Sequence, residues 1–236
     1  MTADAGIERL VAAASTLDIR PRTRRWVHLP VCVLDAVFSI NARYSSVIAV
    51  CDRYAQHQNL DPHLLAVADA ATVIGTNLEQ PVDALAALGR EIGADLLASD
   101  VLSNRSRTST RGGVLKAEAA VRYAEILAES DVHTLDDAAD LLRDLGRLEE
   151  VERRLRTVPG NGVHDVRLGS LWMLAGDDEH VKPDRVVLRW IHGHLAREVD
   201  ARTARCLIDD TARRLQRAPW ELDHAIWRAR GISRRS

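Results

Sequence analysis

Cysteine is scarce in this chain of 236 residues, and Cys32, Cys51 and Cys206 are too few and too scattered for a disulfide framework or a four-cysteine metal site. Aromatic residues make up only 4%, with one Phe against five Trp, so several indoles are candidates for deliberately placed rings, although filling gaps in a helical core is their commoner role. Lysine is nearly missing. Lys116 and Lys182 are the two in the chain, and arginine carries the rest of the positive charge, a bias that suits bidentate phosphate contacts or reflects a GC-rich genome. The N-terminus has no basic stretch followed by an apolar one, and no apolar run approaches membrane-spanning length. A cytoplasmic protein without a membrane partner is expected. No alternation of apolar and polar residues marks a strand anywhere.

Hydrophobic residues at 46% and charged residues at 28% are ordinary for a globular protein, and the length suits one large domain or two small ones sharing a core. A formal net charge of −2 does not advertise nucleic-acid binding, but the charge is unevenly spread. Acidic residues crowd Glu125 to Glu152, while arginines crowd 20–25, 105–111 and 228–235, so a basic face is compatible with a neutral total.

Helical spacing of apolar residues runs through most of the chain. Residues 4–17 place Ile7, Leu10, Val11 and Leu17 on one face. The apolar segment from Val31 to His57 is long enough for two helices interrupted between Ser39 and Tyr44. Pro62, Gly75, Pro81 and Gly93 punctuate expected helices over 62–73, 81–90 and 91–100. The arginine- and hydroxyl-rich stretch Ser103–Gly113 is the most loop-like and precedes a helix over 114–128. Thr134 with Asp137 forms a capping pair for a helix containing Ala138, Leu141, Leu142 and Leu145. Further helices are expected over 186–199, 201–216 and 219–231. The fold class is therefore all-α.

One stretch organises the others. Leu148, Val151, Leu155 and Val158 recur at helical spacing until Pro159-Gly160 stops the helix. Asn161 and Gly162 take positive φ cheaply, so a second helix can start at once, with Val166, Leu168, Leu171, Trp172 and Leu174 on its apolar face. So short a turn leaves backbone N–H groups pointing outward at the second helix's N-terminus, where a phosphate binds readily. After a loop, Pro183-Asp184 opens another helix.

The run Val158-Pro159-Gly160-Asn161-Gly162-Val163-His164-Asp165-Val166, followed by Pro183-Asp184-Arg185-Val186-Val187-Leu188-Arg189, resembles the helix-hairpin-helix DNA glycosylase superfamily. There the hairpin reads roughly L-P-G-V-G-x-x-T-A and the later segment V-D-x-x-V-x-R. The resemblance covers most of the chain from Val31 onward and is specific at the hairpin and the aspartate. It implies a two-lobed helical fold: a central helical barrel over 31–160, a second lobe from 1–30 with 161–236, the hairpin motif of 148–175 straddling both, and a cleft between them. With three scattered cysteines, the chain cannot hold the iron–sulfur cluster of some members.

The implied activity is a monofunctional DNA N-glycosylase. Such an enzyme rotates a damaged or modified base out of duplex DNA, at a cost of roughly a few kcal/mol, and hydrolyses its bond to the sugar. In this chain Pro159, Gly160, Asn161, Gly162, Val163 and His164 would clamp a phosphate, and the hairpin carbonyls are a candidate site for a monovalent cation; no other cofactor is expected. Asn41, with Arg43 beside it, matches the loop whose polar residue fills the space the base leaves; read alone, Asn41 is a helix cap. Arg105, Arg107 and Arg111 match a loop that probes the opposite strand; read alone, they are a solvated basic loop.

Asp184 would be the carboxylate that stabilises oxocarbenium character on the sugar and orients water. Without the family it is a helix cap. Strand-nicking members carry a lysine where this chain has His164, and histidine makes no stable Schiff base, so strong lyase activity is not expected. The substrate is left open between a repair lesion and a modified cytosine in phage DNA. A non-catalytic DNA-backbone binder is the alternative, and a monomer is expected. Asp177, Asp178 and Glu179 read as a solvated loop. His192 and His194 stand two apart on a helix and point in different directions, against a shared metal.

Overall fold

A computed structural model describes residues 3–161, 165–178 and 185–232. Among them helix dominates, and the chain is all-α in class apart from one short ladder. No helix among the described residues is long and apolar enough to cross a membrane. The chain packs as two units, one of Thr23–Asp177 and one of Met1–Arg22 with Asp178–Ser236.

In the larger unit, strand β1 (Arg24–Trp26) is followed by helices α2 (Leu29–Phe38) and α3 (Tyr44–His57), strand β2 (Leu64–Ala66), a 3-10 turn (Val67–Thr72) and helix α4 (Asp83–Leu96). Then come α5 (Lys116–Ala128), α6 (Leu135–Arg143), α7 (Leu145–Leu155) and α8 (Val166–Ala175). All ten residues of α2 are buried, as expected of a helix that is apolar all round. Helices α3, α5 and α8 pack on it. Pro30 sits in the first turn of α2, where its missing N–H has no intrahelical role.

Two polar groups inside this core are matched to partners. Asp35 accepts from the Trp26 indole at 2.8 Å and from the Ser39 hydroxyl at 2.8 Å. His28 accepts the Gln80 backbone N–H at 2.9 Å on Nδ1 and donates from Nε2 to the Pro62 carbonyl at 3.1 Å, which fixes a neutral tautomer. Burial holds its pKa below the ordinary value, in keeping with that state.

Two expectations are corrected here. Residues 62–73 are not an α-helix, and strand is not absent: Leu64–Ala66 pairs antiparallel with Arg24–Trp26. The backbone of Val27 extends the pairing to His63 at 3.1 Å, and that of Val67 to Thr23 at 3.1 Å. Three residues are too few to show alternation, so the ladder left no periodic trace. Further along, Gly93 at φ 80 and ψ 157 breaks α4 in two, a conformation glycine adopts without strain.

The smaller unit is made of α1 (Ala3–Ala14), α9 (Arg185–Leu195), α10 (Ala201–Arg214) and α11 (Pro219–Ile232). Its own core joins Leu10 and Ala14 of α1 to Ile191, Ala204, Ile208, Leu222 and Ile226. Asp200 caps α10 by accepting the Thr203 N–H at 2.7 Å. The Arg22 guanidinium pairs with Asp178 at 2.9 Å and lies 4.4 Å over the Trp220 ring, on which His224 stacks. Helix α8 belongs to the larger unit.

Candidate nucleic-acid interface

Helix α7 ends as Leu155 and Val158 bury themselves in the core, and Pro159 prevents its continuation. Gly160 then takes φ 87. A Cβ there would lie 2.4 Å from the Thr108 Cβ, so only glycine lets the turn lie this close to the 103–113 loop. Gly162, Val163 and His164 lie outside the described residues, as does Asp184. The chain resumes at Asp165, in left-handed conformation at φ 56, and α8 starts at Val166.

The two ends of the turn are tied together. The Asn161 amide donates to Asp165 Oδ1 at 2.5 Å, Arg156 donates to Asp165 Oδ2 at 2.9 Å, and the Arg167 backbone N–H reaches the Asn161 carbonyl at 3.2 Å. Beneath the turn lies the Arg167 side chain, fully buried. Its guanidinium donates to the carbonyls of Val158 at 2.6 Å and Pro159 at 2.9 Å, and to the Tyr123 hydroxyl at 2.8 Å. Tyr123 passes the bond on to Asn161 Oδ1 at 3.1 Å. The Val158 and Pro159 carbonyls thus face a guanidinium, while three of the four residues whose carbonyls the sequence offers to a cation, Gly162, Val163 and His164, lie outside the described residues.

The 103–113 loop is folded, not loose. Arg107 bridges to Leu115 and donates to the Gly113 carbonyl at 2.7 Å, and the Lys116 N–H reaches the Ser106 carbonyl at 2.9 Å. Arg105 pairs with Asp95 at 2.8 Å. Arg111 is exposed and makes no ion pair among the described residues. Of the three arginines, then, one is spent on shaping the loop and one on a carboxylate.

The 39–43 turn carries Asn41 at φ 54, and every residue from Asn41 to Ser46 is exposed. Arg43 holds the N-cap position of α3 and supplies no side-chain cap, and Ser39 holds the C-cap position of α2, so Asn41 occupies neither cap position. From below, the buried Lys116 ammonium donates to the Phe38 carbonyl at 2.9 Å and the Ile40 carbonyl at 2.6 Å, fixing the turn beside Asn41. Three segments far apart in sequence therefore meet: Lys116 joins the 39–43 turn to the 103–113 loop, and Thr108 joins that loop to Gly160.

A family model described as a domain of unknown function (DUF8548) matches residues 5–231. The chain belongs to this family. No curated protein and no solved structure matches it.

The electrostatics of this family member's meeting point centre on two cations that the sequence reading did not single out. Burial lowers the Arg167 pKa, an effect Tyr123 partly offsets, while burial raises Tyr123 to about 12. Burial and the charge of Arg167 together bring Lys116 down to about 8. A signal was present. Arg167 falls on the same helical stripe as Leu171 and Leu174, where an unpaired charge is costly and implies a dedicated partner. No metal-binding group of His, Cys, Asp and Glu occurs among the described residues.

Proposed function

We propose that the protein is a monofunctional DNA N-glycosylase of the helix-hairpin-helix type. The observation that carries this reading is the meeting of the 39–43 turn, the 103–113 loop and the Pro159–Asn161 turn, three segments that base extrusion requires side by side. A clamp on the backbone beside the target nucleotide and a wedge into the vacated stack each lower the cost of flipping. The glycine turn before α8 supports the clamp, and the exposed Asn41, held at positive φ on a braced turn, supports the wedge. Arg43 and Arg111 are the exposed arginines nearest in sequence to take phosphates.

The chemistry rests on Asp184, by its place after Pro183 and downstream of the hairpin in sequence. Its carboxylate would stabilise the positive charge that develops on the sugar and orient the attacking water. His164, in the position of the strand-nicking lysine, forms no lasting imine, so the product is an intact strand with an abasic site.

The test is abasic-site formation by wild type and Asp184→Asn. The panel comprises duplexes with uracil, alkylated purine, oxidised guanine or mismatched adenine, with genomic DNA from phages carrying normal and hypermodified cytosine. Wild type is expected to yield alkali-dependent breaks on one substrate, and Asp184→Asn to lose at least about a hundredfold in rate. Breaks only in hypermodified phage DNA would assign a defence role, breaks in a common lesion a repair role. If neither protein alters any DNA and both bind duplex with equal salt dependence, the chain is a backbone binder without chemistry.

A further inference from the structure

We infer that Lys116 and Arg167 form a buried cationic floor beneath the 39–43 and 157–161 turns, and that this floor supplies the positive charge drawing a nucleic-acid phosphodiester onto them. The inference rests on the DNA-binding part of the proposed function. Both side chains are buried, Arg167 completely and Lys116 to 5% exposure, and both spend their N–H groups on neutral acceptors: backbone carbonyls and a phenol.

Among the described residues neither has an ion-pair partner. The groups facing the Lys116 ammonium are the Phe38 and Ile40 carbonyls, the Phe38 ring at 5.9 Å and, from α8, Arg167. Carboxylates on the elements around α5 are engaged elsewhere: Asp35 of α2 by Trp26 and Ser39, Asp83 of α4 by His133, and Glu152 of α7 by Arg156 and Trp172. The carboxylates nearest Tyr123 and Arg167, Glu152 and Asp165, are both paired with Arg156; a buried charge in this setting is screened weakly by salt, so its field extends through the thin turn above it. The turn carbonyls point down at the cations and are neutralised by them. What the surface presents is the positive side of the arrangement, on a protein whose net charge is −2.

A floor of this kind explains how a chain without net positive charge could gather phosphate where two of the nearby arginines are committed, Arg105 to Asp95 and Arg107 to Gly113, and only Arg43 and Arg111 are offered to it. It also makes Lys116 and Arg167 positioning residues, acting on nucleic acid through the turns and not by contact.

The full chain is tested with a fluorescein-labelled undamaged duplex, by anisotropy, from about pH 7 to about pH 9, across the range in which Lys116 loses its proton. Wild type is expected to weaken about tenfold with an unchanged circular dichroism spectrum. Lys116→Arg, which keeps the charge, should bind like wild type at pH 7 and show no such fall. Lys116→Met should bind at pH 7 about as weakly as wild type does at pH 9. Should Lys116→Met fail to fold, the wild-type profile and its loss in Lys116→Arg decide the matter. Wild-type binding that stays flat with pH, or a folded Lys116→Met of wild-type affinity, overturns the floor while leaving the glycosylase reading standing. A wild type that binds no duplex at any pH overturns both.

Discussion

Asp137 does three jobs with one oxygen: its Oδ2 accepts from the backbone N–H groups of His133 at 2.9 Å and Thr134 at 2.8 Å, and from the Thr134 hydroxyl at 2.8 Å. The Asp137 N–H returns a bond to that hydroxyl at 3.2 Å, closing the box that starts α6. Partial burial pushes the Asp137 pKa up, but the bonds from Thr134 and His133 outweigh it and the pKa is lowered. The stabilisation is therefore complete above the ordinary aspartate value of 3.8 and is lost as pH falls through the lowered folded value. Asp137→Asn is expected to cost about 1 kcal/mol in urea unfolding at neutral pH, with the gap to wild type closing in acid. This box was legible in the sequence because its partners are three residues apart. The place of Arg167 on an apolar stripe was legible too, but its partners were not, because Tyr123 and the Val158 and Pro159 carbonyls lie on another helix and a turn.

At the scale of elements, α4 and α5 approach so closely that a Cβ on Gly89 would lie 2.3 Å from Val121 Cγ2 and 2.6 Å from Cγ1. Gly89→Ala is expected to destabilise by about 1 to 3 kcal/mol through overpacking. Adding Val121→Ala should return part of that loss, a sign reversal measurable in a double-mutant cycle of urea midpoints. Helix positions were readable because apolar spacing repeats over several turns. The β1–β2 ladder was not readable, since three-residue strands carry no period and their pairing spans the whole of α2 and α3. The same holds for the candidate site: each loop could be singled out by composition, but the contact of Thr108 with Gly160 and the reach of Lys116 to Ile40 are products of how α5 packs on α2. Nothing local in the sequence marks Lys116 for this reach.

The molecule as a whole has two separate main cores, one confined to Thr23–Asp177 and one to the chain's two ends. Two cores of different size need not melt together. Calorimetry is expected to give a calorimetric enthalpy above the van't Hoff value, and Ile191→Ala, in the smaller core, to lower the earlier or smaller transition by about 2 to 5 kcal/mol while leaving the other in place. A single transition with equal enthalpies would show the two to be one cooperative unit.

The composition of the smaller unit also sets an order of events during synthesis. Leu10 and Ala14 of α1 leave the ribosome before the larger unit, yet the residues that bury them, on α9 and α10, are made after all of it. The larger unit, continuous in sequence, can be complete by then, with α1 waiting as an uncovered amphipathic segment. A chain cut short before α10 would therefore strip cover from α1, and quality-control proteases would meet the damage far upstream of the break, beyond the whole of the larger unit.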